Sequence, residues 1–341
     1  MTYNDFINFL NKNKKINCNM NIAIIGSGPS SITASFYLKM YGYNITIYEA
    51  LNDIGGVLLY GIPNFRLPKI ILKNIENAMN KLDINIQKNY IIGQIKNIDT
   101  ISKDYDAVFI GSGSGTPIFL NIEGEYLNNI YSANEYLMRI NLLKSYNKKY
   151  NTPIIKGKNV VIIGGGNVAI DAARCALRME SENVTIIYRK GEEKLSALKK
   201  EIYYAKKEGV KFLYYTKPIR FIGNTNNNVK FIECIKTKEI ELYNEKIYID
   251  SKDSNFLIKS DLVIIAIGTN INLLVFKNSN LFLNKKYTIE KYIDENLQFE
   301  NTNIFFGGDI ISKTSTVISA IEQGKKAALS INEFLCTKNK K

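Results

Sequence analysis

The sequence contains no histidine and no tryptophan, and only four cysteines in 341 residues. Without an imidazole, Ser-His-Asp and Cys-His nucleophilic catalysis in their usual forms, imidazole-ligated metal sites and histidine acid–base catalysis are excluded. Cys18, Cys175, Cys234 and Cys336 lie far apart in the chain. There is therefore no CxxC redox pair, no local zinc or iron–sulfur spacing and no disulfide scaffold, which suits a reducing compartment. No apolar run reaches the roughly 20 residues of a membrane span. The polar start of the chain lacks the apolar core of a signal peptide, so the cytoplasm is the expected location. Chemistry must come from carboxylates, lysines or a bound cofactor.

What is present describes a globular protein. Apolar residues make up 45% and charged residues 23%, close to the average for folded domains, and the length suits two or three domains. Lys and Arg number 45 against 32 Asp and Glu, a net charge of +13. A basic surface attracts nucleic acid, anionic lipid or an acidic protein. Here the lysines are scattered, apart from Lys12, Lys14 and Lys15 near the start and Lys338, Lys340 and Lys341 at the end. No basic reading helix or RNA-binding aromatic motif accompanies them. Neither nucleic acid nor membrane is expected as a partner.

Periodicity predicts an α/β protein with two dinucleotide-binding units. After a short lead (residues 1–20), Asn21–Ile25 reads as a buried strand, Pro29–Tyr41 as a helix and Asn44–Tyr48 as a second strand. The pattern returns with Asn159–Ile163, a helix over Asn167–Met179, and Val184–Tyr188. Further strands are predicted at Ala107–Ile110, ahead of Gly111-Ser112-Gly113, at Leu262–Ile267, ahead of Gly268, and at Asn303–Phe306, ahead of Gly307-Gly308-Asp309. A last helix is predicted over Thr316–Leu335. The polar stretch 224–260, with alternation at Glu239–Tyr243 and Lys246–Ile249, reads as a small antiparallel excursion.

The glycine clusters carry the chemistry. In Gly26-Ser-Gly28-Pro29-Ser30-Ser31 the first glycine makes the tight turn and the second admits a pyrophosphate to the backbone. The helix start at Pro29 and Ser30 then offers a positive dipole and, from Ser30 onward, free N–H groups, the proline itself having none. Glu49, at the end of the next strand, suits ribose hydroxyls. Ser31 stands where a third glycine is usual. In the second unit, Gly164-Gly165-Gly166-Asn167-Val168-Ala169 fits GxGxxA. Aligned on the strands, Arg189 takes the position of Glu49 and Lys190 follows. An arginine grips a 2′-phosphate that a carboxylate would repel. The first unit therefore suits FAD and the second NADPH. Gly308 and Asp309 fit a ribityl-binding turn, and the helix start at Thr316 and Val317 fits the flavin pyrimidine ring. Cys175, inside a helix, reads as a small buried apolar residue.

Three longer stretches complete the picture: Gly55-Gly-Val-Leu-Leu-Tyr-Gly-Ile-Pro-Asn-Phe-Arg-Leu-Pro-Lys69, Tyr131–Leu137 with Arg139–Leu143, and Gly164–Asp171. Together with the glycine clusters they resemble the FAD- and NADPH-binding part of the glutamate synthase small (beta) subunit family, from about Asn21 to Leu335. The layout is that of pyridine nucleotide-disulfide oxidoreductases. The resemblance implies an FAD domain over 21–122 and 270–341, with an NADPH domain inserted over 123–269. It implies that Gly26, Gly28, Glu49, Gly55, Gly56, Gly113, Gly308 and Asp309 serve FAD, with Arg66 and Leu67 in the segment near the flavin. It also implies that Gly165, Gly166, Asn167, Asp171, Arg189, Lys190 and Gly268 serve the second dinucleotide.

The implied activity is an NADPH-dependent flavoprotein oxidoreductase with no catalytic side chain and no metal. Hydride passes from NADPH (or NADH) to FAD, and electrons leave to an iron–sulfur protein, a glutamate synthase large subunit or a ferredoxin. Related readings are a ferredoxin–NADP reductase-type or sulfide dehydrogenase-type flavin subunit, or a nucleotide-binding subunit without turnover. A thioredoxin-reductase-like activity lacks its cysteine pair. The cysteine-rich iron–sulfur domain usual in the family has no counterpart in the short lead, so any clusters are expected on a partner. Ser196, Leu198 and Ile271 also depart from the family pattern, as does Lys190 in place of a second arginine.

Overall fold

The strands of the two predicted units are nearly uninterrupted runs of Ile, Val and Ala, the signature of parallel strands covered on both faces. The computed structural model describes residues 19–153, 155–242, 245–281, 289–311 and 316–338. Cys18, the first 18 residues of the predicted lead (with the lysines at 12, 14 and 15) and the lysines at 340 and 341 lie outside the described residues. In chain order, β1 (Asn21–Ile25), α1 (Pro29–Met40) and β2 (Asn44–Tyr48) form the first βαβ unit, followed by α2 (Ile70–Lys81), β3 (Asn85–Gln87), α3 (Ile98–Asp104) and β4 (Ala107–Ile110). Next come β5 (Ile130–Ser132), α4 (Ala133–Asn141) and the second βαβ unit, β6 (Asn159–Ile163), α5 (Asn167–Arg178) and β7 (Asn183–Ile187). Then follow α6 (Lys199–Lys207), β8 (Lys211–Leu213), β9 (Thr216–Gly223), β10 (Val229–Leu242), β11 (Glu245–Asp250), β12 (Phe256–Lys259) and β13 (Leu262–Ile265). The chain closes with β14 (Ile304–Phe306) and α7 (Val317–Lys338).

Two compact units result. One contains the described residues within Met1–Leu59, Lys69–Thr116 and Asn270–Lys341; the other contains Tyr60–Pro68 and the described residues within Pro117–Thr269. The second unit is thus inserted into the first, and it also takes the short stretch 60–68. Sequence periodicity has no means of showing this, because 60–68 carries no long regular element.

In the first unit a five-stranded parallel sheet runs β14-β4-β1-β2-β3. Alternate residues of β1 feed opposite cores: Ile22 and Ile24 pack with Leu38 and Met79, and Ala23 and Ile25 pack with Ile110 and Phe306. In the second unit a parallel sheet runs β5-β13-β6-β7-β8. Val160 and Ile162 of β6 face the helices, while Val161 and Ile163 pack against Phe221, Ile232 and Cys234 of an antiparallel layer. That layer consists of β9, β10, β11 and β12. It begins at Thr216, eight residues before the predicted excursion. The first strand, β9, escaped notice because Pro218 interrupts it and its register shifts at Pro218/Arg220.

One close approach fixes α7 on α1. A Cβ built on Gly324 would lie 2.2 Å from the Ser30 carbonyl oxygen. We predict that Gly324→Ala lowers the unfolding free energy by about 2 kcal/mol through overpacking, read by urea denaturation. Replacing the neighbouring exposed Glu322 by Ala is expected to stay within about 0.5 kcal/mol. Equal effects at the two positions would show that the contact does not constrain the helix pair.

Candidate dinucleotide sites

Both βαβ units turn on a glycine that no other residue replaces. Gly26 has φ +88°, and a Cβ there would sit 2.8 Å from the Gly111 carbonyl oxygen. Gly164 has φ +145°, and its Cβ would sit 2.2 Å from the Ala266 carbonyl oxygen. Each glycine lets the loop press on the backbone of the adjacent strand, and the helix begins three residues later. The caps of α1 and α5 are Gly28 and Gly166, and neither helix start has a side-chain cap. Their first-turn N–H groups thus point out without a side-chain acceptor, as an anion requires.

Space in front of the first helix is open. A Cβ on Gly28 would meet only the Gly111 carbonyl oxygen, at 3.9 Å. Beside the loop, the Ser112 hydroxyl is buried without a hydrogen-bond partner among the described residues. Ser31, the departure from glycine, is fully buried and its hydroxyl donates to the Gly111 carbonyl oxygen at 3.4 Å. A small side chain with one bond to make is accommodated there. Glu49 is 5% exposed. It accepts from the Ser27 N–H at 2.9 Å, from the Ser27 hydroxyl, and from the Leu51 N–H at 2.8 Å. A carboxylate has about four acceptor positions, so one remains for a ribose hydroxyl. Gly55 donates to the Ser27 carbonyl at 3.1 Å and to its hydroxyl at 3.0 Å, bringing Gly55 and Gly56 to the same loop. A Cβ on Gly56 would lie 3.2 Å from the Gly28 Cα. Gly113 stands in open space after β4.

The later turn of this unit is also organised around the loop. The Gly308 N–H donates to Gln323 Oε1 at 2.6 Å, and a Cβ on Gly308 would meet the Ser30 hydroxyl at 2.7 Å. Asp309 follows in the turn. Thr316 caps α7, its hydroxyl accepting from the Ser319 N–H at 3.1 Å, and Val317 is the first helical residue. Ser27, Ser112 and Gln323 are the positions that sequence reasoning missed. Polar residues next to glycines were the available signal.

In the second unit the hydrogen bonds correct the alignment of the two motifs. Gly26 N–H donates to the Tyr48 carbonyl and Gly164 N–H to the Ile187 carbonyl, so Tyr48 matches Ile187. Glu49 N–H and Tyr188 N–H each donate to the following strand, at Gln87 and Leu213. The position of Glu49 is therefore held by Tyr188, and Arg189 stands one residue further on. The cause is the strand's bounds: β7 runs Asn183–Ile187, one residue earlier than the predicted Val184–Tyr188, and the matched position moves back with it. Tyr188 lies against the loop as Glu49 does in the first unit. A Cβ on Gly165 would be 2.6 Å from the Tyr188 ring, which explains why the middle of the three consecutive residues is also glycine.

Arg189 is exposed and Lys190 half-buried, and neither has a carboxylate at ion-pair distance among the described residues. Asn167 accepts from the Leu198 N–H at 3.0 Å and so holds the loop carrying Ser196, beside Gly166. Leu198 thereby acts through its backbone, which any residue except proline supplies. Gly268, φ +115°, closes the strand end after β13.

Arg66 and Asp171, both read as cofactor positions, are committed to each other. Arg66 Nη1 lies 2.6 Å from Asp171 Oδ2 and its Nε 3.5 Å from Glu201. Arg174 joins Glu201 at 2.5 Å and Glu208 at 2.8 Å, and Arg178 joins Glu208 at 2.6 Å. The Phe65 ring lies beneath the guanidinium groups of Arg174 and Arg178, 4.5 and 4.0 Å from their central carbons. The Asn141 amide donates to the Tyr60 carbonyl at 3.0 Å, and Leu67 N–H to the Pro63 carbonyl. The three stretches that carry the family resemblance therefore meet around residues 60–68. The thiols of Cys175 and Cys234 are buried and pushed up to about 12 by desolvation, so neither serves as a thiolate. Among the described residues there is no cluster of metal-ligating side chains and no helix long and apolar enough to cross a membrane.

Residues 20–324 match the family profile described as "Pyridine nucleotide-disulphide oxidoreductase". The chain belongs to that family. FAD and a nicotinamide dinucleotide are the family's cofactors, and the uncapped helix starts and open glycine loops fit them. Among curated relatives, it is 33% identical over 317 residues to the NADP(+)-dependent formate dehydrogenase subunit beta of Moorella thermoacetica, covering 92% of this chain and 44% of that one. It is 29% identical to the glutamate synthase [NADPH] small chain of Escherichia coli, covering 92% and 68%. The chain thus spans less than half of the first of these and about two thirds of the second. FprA from Mycobacterium tuberculosis, solved with NADPH, shares the fold with a TM-score of 0.80 at 18% identity, over 95% of this chain and 86% of that one.

The Asp171 carboxyl is pushed up to about 6, burial outweighing the opposing pull of Arg66 and Arg174. A value raised on folding favours the protonated form. Its contribution to stability is complete below about pH 4 and is lost as pH rises through about 6. The unfolding free energy of the wild type relative to Asp171→Asn should therefore fall between those limits and level off above them. A difference that rises with pH in urea titrations would contradict this.

Proposed function

We propose that the chain is the FAD- and NADPH-binding component of an oxidoreductase of the glutamate synthase small-chain kind, delivering electrons from NADPH to an iron–sulfur acceptor protein. The observation that carries this reading is the contrast between the two βαβ units. The first places a buried carboxylate, Glu49, beside its glycine loop. The second places an aromatic ring there and follows it with two cations, Arg189 and Lys190, that have no ion-pair partner among the described residues.

In the first unit, the α1 start at Gly28, Pro29 and Ser30 receives the pyrophosphate of FAD, and Glu49 accepts from its ribose. Gly55, Gly56, Gly113, Gly308, Asp309, Thr316 and Val317 line the remainder. In the second, the α5 start at Gly165, Gly166 and Asn167 receives the pyrophosphate of NADPH. Arg189 and Lys190 bind its 2′-phosphate, the guanidinium by paired donors and the ammonium as a point charge. When bound, FAD supplies the acceptor for the nicotinamide hydride. The chain's own residues bind and orient, and no side chain has to move a proton for that transfer. This accounts for a redox enzyme with no histidine and with its two described interior cysteines inert. Arg66 and Asp171 serve by fixing 60–68 on α5. The relatives named as a subunit beta and a small chain support an acceptor on a separate polypeptide, and a net charge of +13 suits an acidic one.

Purified protein reconstituted with FAD is expected to lose its flavin absorbance on anaerobic addition of NADPH and to reduce ferricyanide faster than free flavin does. No bleaching would refute the reading. Arg189→Ala is expected to raise KM for NADPH by about ten-fold, the worth of a charge-assisted contact, and to leave KM for NADH nearly unchanged. Equal rises for both nucleotides would remove Arg189 from the phosphate site.

A further inference from the structure

The loop that carries Arg189 and Lys190 is held from behind by the antiparallel layer, through three consecutive carbonyls. The Tyr188 carbonyl accepts from the Thr216 N–H at 3.0 Å, and the Lys190 carbonyl accepts from the Tyr215 N–H at 3.2 Å. Between them, the Arg189 carbonyl accepts from the Thr237 hydroxyl at 2.6 Å. Thr237 is 7% exposed, and its own N–H donates to the Tyr215 carbonyl at 2.9 Å. Tyr215 adopts φ +51°, an unfavourable conformation for a residue with a side chain, which surrounding bonds must maintain.

The Lys190 side chain is held by the same layer. Its ammonium lies 5.5 Å from the centre of the Tyr248 ring. Tyr248, on β11, stands opposite Glu239 in the β10–β11 register and donates its hydroxyl to that carboxylate. Lys246 pairs with Glu239 at 2.6 Å. The Glu239 carboxylate is thus already occupied by a hydroxyl and an ammonium.

From these contacts we infer that Thr237 and Tyr248, on strands outside the dinucleotide fold, are positioning residues that set selectivity for a 2′-phosphorylated nucleotide. The inference rests on the reading of Arg189 and Lys190 as the 2′-phosphate site. Thr237 acts by turning the Arg189 carbonyl, the negative end of a peptide dipole, into the sheet and away from an incoming phosphate. Tyr248 acts by offering Lys190 a ring face in place of a carboxylate, leaving its charge uncompensated for the ligand.

The test is calorimetric titration of the full chain with adenosine 2′,5′-bisphosphate and with adenosine 5′-monophosphate, which differ only in the 2′-phosphate and need no flavin. The wild type is expected to prefer the bisphosphate. Thr237→Val and Tyr248→Ala are each expected to reduce that preference about three-fold, the scale of one hydrogen bond or one exposed cation–π contact. The loss should fall on the bisphosphate alone. Thr237→Ser should restore the preference, and Tyr248→Phe should keep most of it, because the ring rather than the hydroxyl faces Lys190. If the wild type shows no preference, the NADP reading fails and this inference with it. If the wild type shows a preference that Arg189→Ala removes, but Thr237→Val and Tyr248→Ala retain it or weaken both ligands equally, the inference alone is overturned.

Discussion

Two strands that end in a glycine pressed on a neighbouring backbone set the arrangement of everything functional here. Gly26 over Gly111 and Gly164 over Ala266 leave no room for a Cβ and no conformation for another residue. The sharp turn that follows starts a helix three residues later, with glycine at its cap and unclaimed N–H groups at its mouth. The helix start, the open space before it and the residue at the end of the next strand all follow from that turn. A second copy of the same device in one chain allows one polypeptide to hold two dinucleotides.

What differs between the copies is electrostatic. In the first, Ser27 in the loop and Glu49 at the strand end are joined by hydrogen bonds, and the carboxylate is buried. In the second, Gly165 stands in place of Ser27 and the Tyr188 ring in place of Glu49. Removing the carboxylate alone would leave a neutral site. The cations come from the next two residues, Arg189 and Lys190. The antiparallel layer then holds those two residues and Tyr188 before them through Thr237, Tyr215 and Thr216. On the proposed reading, a ligand preference that looks local is spread over three segments of chain.

Much of this was legible in the sequence. Apolar runs followed by glycine marked β1, β4, β6 and β14 within a residue of their observed bounds, because a doubly covered parallel strand has no alternative partition of its side chains. The glycine loops were legible because each follows directly on such a run. The match of Arg189 to Glu49 was not, since the apolar run reads as a strand from Val184 as readily as from Asn183, and that one residue moves the matched position from Tyr188 to Arg189. Nor was the pairing of Arg66 with Asp171: both sit in motifs, and a motif does not show whether a charge faces a ligand or another side chain. The contribution of Thr237 and Tyr248 depends on an antiparallel layer whose first strand is interrupted by Pro218 and was not visible as a strand.

The central claim is that FAD occupies the unit with the carboxylate and NADP the unit with the cations. Hydrogen exchange measured by mass spectrometry on the full chain addresses it directly, because each ligand slows exchange where it covers backbone. Addition of FAD should slow exchange in residues 26–31 and 49–56, and subsequent addition of NADP+ should slow it in 164–171 and 188–198. Protection of the second set by FAD, or of the first set by NADP+, would contradict the account.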